Sequence, residues 1–320
     1  LKKARKKFNE GNISQAEFNE IILENQEQSE VYLMGSTTEE ILRQRAENPL
    51  EIPGLAMNWA NYDKVTQGQK PNELVVVVAR SKVGKSAFLL NHAKKFSVND
   101  GIPGLYIDTE MTYREQEDRL LSCISGVPYE EIVNGMFSRD TIHGEASDKT
   151  AKLFSALEKI RASNFFHVYM PMFTIEKVTA LVRKYYLQHG LGYVIFDYIK
   201  LPNAEVNNLQ TAQEYQRLGY MTTCLKDLAG ICNIPIITAA QANRTGDMSG
   251  DESDVGGSYR IVQMATRVVF LRHKTDQEIT TDGWQRGNMK VKVAFQRNGS
   301  ASQNIDFLFD GATLRWSEIR

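Results

Sequence analysis

The stretch "VVVVARSKVGKSAFLLN" (75–91) sets a short loop, Ala79 to Ser86, between an apolar strand pattern and an apolar helix pattern. A loop in that context can wrap a phosphate. Gly84 lets the backbone approach the oxygens closely. The N–H groups from Val83 to Ser86, followed by Ala87, open a helix whose N-terminus favours an anion. Lys85 brings a point charge to the β- and γ-phosphates, and Ser86 a hydroxyl for Mg²⁺. Ser81 and Lys82 complete the loop, and Lys82 adds a second positive charge. Ala79 stands where the common pattern has its first glycine. Alanine is acceptable there if its φ stays negative.

Chemistry at such a loop needs a carboxylate for the metal shell and a group that activates water. Asp197 ends the run "LGYVIFD", an acid at the carboxyl end of an apolar strand. Glu110 ends "GLYIDTE", and its strand is expected beside the phosphate-loop strand, with the carboxylate turned to the γ-phosphate. Asp108, two residues earlier and expected on the same face, ranks second for that role. Gln241 ends "IPIITAAQ" at the same sheet edge, where a neutral amide can sense the γ-phosphate. Arg297, in "FQRNG", is a candidate finger into a neighbour's site if the protein is an oligomeric ATPase.

The elements that must position these groups read as follows. From residue 70 onward, continuous apolar strands alternate with helical patterns, which predicts a mostly parallel sheet covered by helices. The late strands "TRVVFLRH", "MKVKVAFQ" and "QNIDFLFD" follow without intervening helices and predict an antiparallel extension. Residues 1–50 differ. A capping Ser14 opens a predicted short amphipathic helix over 14–28, "STTEEILRQRAE" (36–47) predicts a second, and "NPLEIPG" breaks the pattern. The division expected is 1–50, a helical linker segment, and 51–320, the main domain. The chain begins at Leu1, so a preceding portion is expected.

The 320 residues carry a formal net charge of −1, so no global positive field points to nucleic acid. Any such contact must come from local loops. Cys123, Cys224 and Cys232 form no C-x-x-C pair and read as free thiols suited to a reducing cytosol. No apolar run reaches membrane-spanning length.

Taken together, the motifs resemble the C-terminal RecA-like motor of DnaB-type replicative hexameric helicases, in particular the phage versions, from about Ile52 to Trp316. "ARSKVGKS" resembles that family's phosphate loop, which carries alanine first. "DTEM" is similar to its S-L-E-M, "VIFDYIKL" to its I-D-Y-L-Q-L, "AAQANR" to its S-Q-L-N-R, and "AFQRNG" to its G-K-Q-R-N-G. The resemblance implies an α/β RecA-like P-loop ATPase fold and an ATP- and Mg²⁺-dependent ring hexamer. Such a ring moves 5′ to 3′ on single-stranded DNA in the cytoplasm and works with primase and other replisome proteins. It implies Glu110 as catalytic glutamate, Asp197 as metal-site aspartate, Gln241 as γ-phosphate sensor and Arg297 as a finger acting in trans. It also implies Arg119 as a nucleotide neighbour.

By the same resemblance, the loops at 202–211, with Asn203 and Asn207, and at 243–258 line the DNA channel. The second loop is acidic, so contacts are expected through backbone near Gly256, Gly257 and Ser258, helped by Arg244 or Arg260. The helix at 14–28 corresponds to a linker that docks on the adjacent subunit. One departure stands out: the finger motif's lysine is Phe295. Strict strand alternation would put Lys290 and Lys292 on the face opposite Arg297. Two rival readings are a RecA/RadA-type recombinase filament and a nucleotide-gated scaffold or loader. "FQRNG" and the full set of catalytic groups count against them.

Overall fold

The computed structural model describes residues 7, 12, 14, 17, 33–138, 148–199, 214–242, 259–297, 299 and 304–319. The chain divides into two compact units, Leu1–Glu51 and Ile52–Arg320. In the first, Ser14 and Glu17 cap each other. The Glu17 N–H donates to Ser14 Oγ at 3.2 Å and the Ser14 N–H to Glu17 Oε2 at 2.8 Å. Most of the helix predicted over 14–28 lies outside the described residues. Helix α1 (Thr38–Glu47) follows, with an Arg43–Glu39 ion pair one turn apart and no buried residue.

The second unit runs α2 (Ala60–Thr66), β1 (Leu74–Ala79), α3 (Lys85–Ala93), β2 (Gly104–Asp108), α4 (Tyr113–Ser125), α5 (Tyr129–Val133), α6 (Asp148–Arg161) and β3 (Phe165–Tyr169). It continues α7 (Ile175–His189), β4 (Tyr193–Asp197), α8 (Glu214–Cys232), β5 (Ile236–Gln241), α9 (Tyr259–Met264), β6 (Arg267–His273), α10 (Asp276–Asp282), β7 (Met289–Gln296), β8 (Asn304–Asp310) and β9 (Arg315–Glu318).

The nine strands among the described residues join one sheet in the order β3-β2-β4-β5-β1-β6-β7-β8-β9. Strands β1 to β6 are parallel, and β7 to β9 run antiparallel. The core follows from the two-residue strand period. Val76, Val78, Leu105, Ile107, Val194 and Phe196 face a cluster that includes residues of α7 and α8. Val75, Val77, Tyr106, Tyr193 and Ile195 face a second cluster with α2, α3 and the last strands. With both faces covered, the central strands are apolar throughout.

Three expectations need correction. Strand β2 does not lie beside β1, because β4 and β5 intervene. The late strands are not all antiparallel: β6 pairs in parallel with β1, and α10 separates it from β7. The alternation argument about Lys290 and Lys292 also fails. A bulge shifts the β6–β7 register, pairing Val268 with Phe295 but Val269 with Val293. Ala294 is the extra residue, and a bulge reverses the alternation beyond it. Phe295 accordingly packs on the same cluster as Ala294, while Met289, Val291 and Val293 face the other. Lys292 therefore shares a face with Arg297, several positions along the strand.

Candidate active site

Past the strand ends, backbone hydrogen bonds continue the sheet as a rail along its carboxyl edge. The Met170 N–H donates to the Asp108 carbonyl (2.7 Å), Thr109 to Asp197 (2.9 Å), Ile199 to Ala239 (2.9 Å) and Ala242 to Ala79 (3.0 Å). Register aligns Ala79 with Gln241 and Asp108 with Asp197. The ends of β1, β2, β4 and β5 thus carry all the edge residues singled out from sequence except Arg297.

The loop between β1 and α3 holds two residues at positive φ, Lys82 (64°) and Gly84 (100°), while Ala79 keeps a negative φ. A Cβ on Gly84 would sit 3.1 Å from the Phe309 ring and 3.2 Å from Trp316, which stack on each other at 4.9 Å. The loop is therefore shaped against the β8–β9 hairpin, and any side chain at Gly84 would strain the backbone and press on both rings. Lys85 Nζ donates to the carbonyls of Ala79 (3.0 Å) and Arg80 (3.1 Å). Burial lowers its pKa, and Asp197 and Glu110 partly restore it, so both acids act on this ammonium.

Asp197 is buried and accepts from the Tyr106 hydroxyl at 2.7 Å on Oδ2. Its Oδ1 is buried without a well-formed hydrogen bond among the described residues. Burial, then the Asp108 charge, push its pKa up to about 6, while hydroxyls of Tyr106 and Ser86 and the Arg119 charge pull it down. A deprotonated acid with an unsatisfied oxygen, near a serine hydroxyl at a helix N-terminus, fits a divalent cation, whose charge would offset that desolvation. Ser86 and Asp197 are the residues that would hold Mg²⁺.

Glu110 is exposed, in the bend after β2. It does not cap α4: Thr112 does, accepting from the Glu115 N–H at 3.4 Å. The Tyr198 hydroxyl donates to the Glu110 carboxylate, and burial, then that carboxylate's charge, push the phenol's pKa up to about 12. Asp108, the second-ranked acid, is not on Glu110's face. It is fully buried, and its Oδ1 accepts from the N–H groups of Glu110 (2.8 Å) and Met111 (2.7 Å). Arg119, on α4, directs its charge at Asp197 and Tyr106.

Gln241 is exposed at the β5 end. Arg297 is exposed at the opposite edge of the sheet. Gln296 pairs with Arg267, which pairs with Val75 at the start of β1. Four strand residues and two strand spacings separate that point from Ala79, ~13 Å along and ~10 Å across. That exceeds an arginine's reach, so Arg297 cannot serve the loop of its own subunit. Asn203, Asn207, Arg244, Gly256, Gly257 and Ser258 lie outside the described residues. Arg260 falls in α9, but its side chain is not described.

Sequence reasoning missed several residues that shape the site. Tyr106 precedes Asp108 by two and holds the Asp197 carboxylate. Phe309 and Trp316 brace the loop from distant strands, a contact no local pattern signals. Arg267 is buried, pairing with Glu73 at 3.1 Å and donating to Thr66 O (2.7 Å), Gly68 O (3.1 Å) and Gln69 Oε1 (2.9 Å). It ties the segment before β1 to β6. A charged residue opening an apolar strand was the available signal.

The family model described as DnaB-like helicase C terminal domain matches residues 54–318. The chain belongs to this family. Over 276 residues it is 27% identical to a probable replicative DNA helicase of Trieres chinensis, covering 84% of this chain and 58% of that protein. It is 27% identical over 311 residues to the replicative DNA helicase DnaB of Mycoplasma pneumoniae, covering 90% and 63%. The chain thus spans somewhat over half the length of the curated relatives it matches. Among solved structures, an ATPase domain superposes with a TM-score of 0.76 at 22% identity, over 89% of this chain and 99% of that one. A DnaB-like replicative helicase, solved in work on its interactions with primase, gives 0.72 at 20%, over 98% and 74%. The DnaB-like domain here therefore has the RecA-like ATPase fold. No helix among its described residues is long and apolar enough to cross a membrane.

Proposed function

We propose that this chain is the motor of an ATP-dependent replicative DNA helicase, a ring hexamer that moves 5′ to 3′ on single-stranded DNA and unwinds duplex. The observation that carries the reading is the division of the catalytic set between two sheet edges. Lys85, Ser86, Asp197, Glu110 and Gln241 share the carboxyl edge, and Arg297 sits on the other. Such a site is complete only when a neighbour supplies its arginine.

In this reading the backbone from Ser81 through Ala87 cradles the ATP phosphates at the start of α3. Lys85 moves from its carbonyl partners to the β- and γ-phosphate oxygens. Ser86 and Asp197 would hold Mg²⁺, which would supply neutralisation of phosphate charge. Glu110 takes a proton from the attacking water, and Arg119 borders the nucleotide. Gln241 contacts the γ-phosphate and reports its loss through β5 to the segment that follows. The neighbour's Arg297 stabilises charge that develops on the γ-phosphoryl, an effect worth ~10³–10⁵ in rate. DNA is gripped through its backbone by residues following β4 and β5, with Asn203, Asn207, Arg244, Gly256, Gly257, Ser258 and Arg260 as the proposed contacts. Such contact is tolerant of sequence and sensitive to salt.

The segment 1–50 is the linker that docks on the adjacent subunit, and primase is the partner class that the solved relative's primase work suggests. The cytoplasm is the expected compartment. A forked duplex carrying a single-stranded tail on one strand or the other tests the reading. ATP-dependent unwinding only with the 5′ tail supports it. Strand exchange on filaments, or ATP binding without unwinding, refutes it.

A further inference from the structure

Glu110 lies outside regular structure, in the bend between β2 and α4, yet general-base work needs an orientation held within a fraction of an ångström. Two contacts fix that bend. Thr109 fastens it sideways to β4, its N–H and its Oγ1 both donating to the Asp197 carbonyl at 2.9 and 3.2 Å. Asp108 folds it from beneath, one carboxylate oxygen accepting from the N–H groups of Glu110 and Met111 at 2.8 and 2.7 Å. These are short, charge-assisted bonds.

Asp108 carries an energetic burden that a mere turn would not require. It is fully buried. Its second oxygen has no hydrogen bond among the described residues, and His167 Nε2 stands 3.9 Å away, beyond hydrogen-bond distance. Its charge also acts against ionisation of Asp197. A buried acid with a half-satisfied carboxylate beside a second acid is destabilising by itself. A serine at this position could accept one N–H without a charge.

We infer that Asp108 is a positioning residue: its carboxylate is the brace that sets the direction of the catalytic Glu110, acting through the backbone and not on water or phosphate. Both of its hydrogen bonds end on the N–H groups of the turn that carries the glutamate, which gives the carboxylate a route to Glu110 through the backbone. This inference rests on the ATPase reading.

The test separates the brace from the charge. Asp108→Ala removes both, and Asp108→Asn keeps an acceptor oxygen while removing the charge. DNA-stimulated ATP hydrolysis by the full chain is measured for each, alone and in a Glu110→Gln background. Asp108→Ala is expected to lower kcat ten- to a hundredfold with KM for ATP changed less than threefold. Asp108→Asn should regain most of that loss. In the Glu110→Gln background the alanine substitution should cost less than twofold, since the group it orients is already gone.

Three results would overturn the inference: undiminished kcat in Asp108→Ala, equal losses in alanine and asparagine variants, or the same fold-loss with Glu110→Gln. A rise in KM matching the fall in kcat/KM would assign Asp108 to binding instead. A misfolded alanine variant is recognised by its lost nucleotide binding, and the asparagine variant then decides: retained kcat supports the brace, a loss like that of Glu110→Gln contradicts it. Absence of turnover in the unaltered chain would sink the ATPase reading itself and this one with it, whereas failure in the variants alone sinks only the brace.

Discussion

Replacing Asp197 by asparagine should make the protein more stable while removing its activity. Asp197 is buried among apolar strands, and burial with the Asp108 charge raises its pKa from 3.8 to about 6. A group whose folded pKa lies above its unfolded value favours folding at low pH. That contribution is lost as pH rises through the folded pKa. Above pH 7 that raised pKa applies in full, and at about 1.36 kcal/mol per pK unit the ionised carboxylate costs about 3 kcal/mol. Asparagine avoids this and can still accept from the Tyr106 hydroxyl, which now donates at 2.7 Å. An imperfectly paired amide NH₂ takes back about 1 kcal/mol. The net gain of about 2 kcal/mol corresponds to about 4–8 °C in Tm for a domain of this size. The assay is thermal unfolding in chelator without nucleotide. The advantage of Asp197→Asn should grow by about 1 kcal/mol between pH 5 and pH 7.5, the span in which the wild-type carboxyl gives up its proton. Mg²⁺ with nucleotide should narrow the gap by stabilising the wild type. A variant less stable than wild type at pH 7.5, or a gap that ignores pH, would refute the reasoning.

Gly84→Ala should raise KM for ATP at least tenfold, because its φ is +100° and the added Cβ would press on Phe309 at 3.1 Å; unchanged nucleotide affinity by fluorescence titration would contradict the loop's shape argument. Arg267→Ala should destabilise the fold by about 3–5 kcal/mol, since it strands the buried Glu73 and three acceptors. Denaturant unfolding measures that, and a loss under 1 kcal/mol would show the ion pair to be dispensable.

Much of the architecture was legible because its signals are local. Runs such as "ELVVVVA" and "GYVIFDY" read as strands buried on both faces, and acids or amides at their carboxyl ends marked one sheet edge. What escaped the sequence was long-range. Strand order depends on which crossover packs where, so Glu110's strand proved to have two strands, β4 and β5, between it and β1. The bulge at Ala294 has no periodic signature: Val293, Ala294 and Phe295 read as one apolar run, and the face of Arg297 was misjudged in consequence. Phe309 and Trp316 meet Gly84 only through the tertiary fold. Asp108 was recognisable as an acid near the site, but its burial, and with it its role, depended on the turn that it folds.

The central claim is that the site is completed by a neighbour's Arg297, which its own subunit cannot use because it lies across the sheet from Lys85. Subunits carrying Lys85→Ala, with an intact arginine, can be mixed with subunits carrying Arg297→Ala, with an intact phosphate loop, and the mixing verified by size and by labelled subunits. Each pure variant should be nearly inactive, and the mixture should regain a measurable fraction of the DNA-stimulated ATPase. Verified mixed rings that stay as inactive as the separate variants would contradict the account.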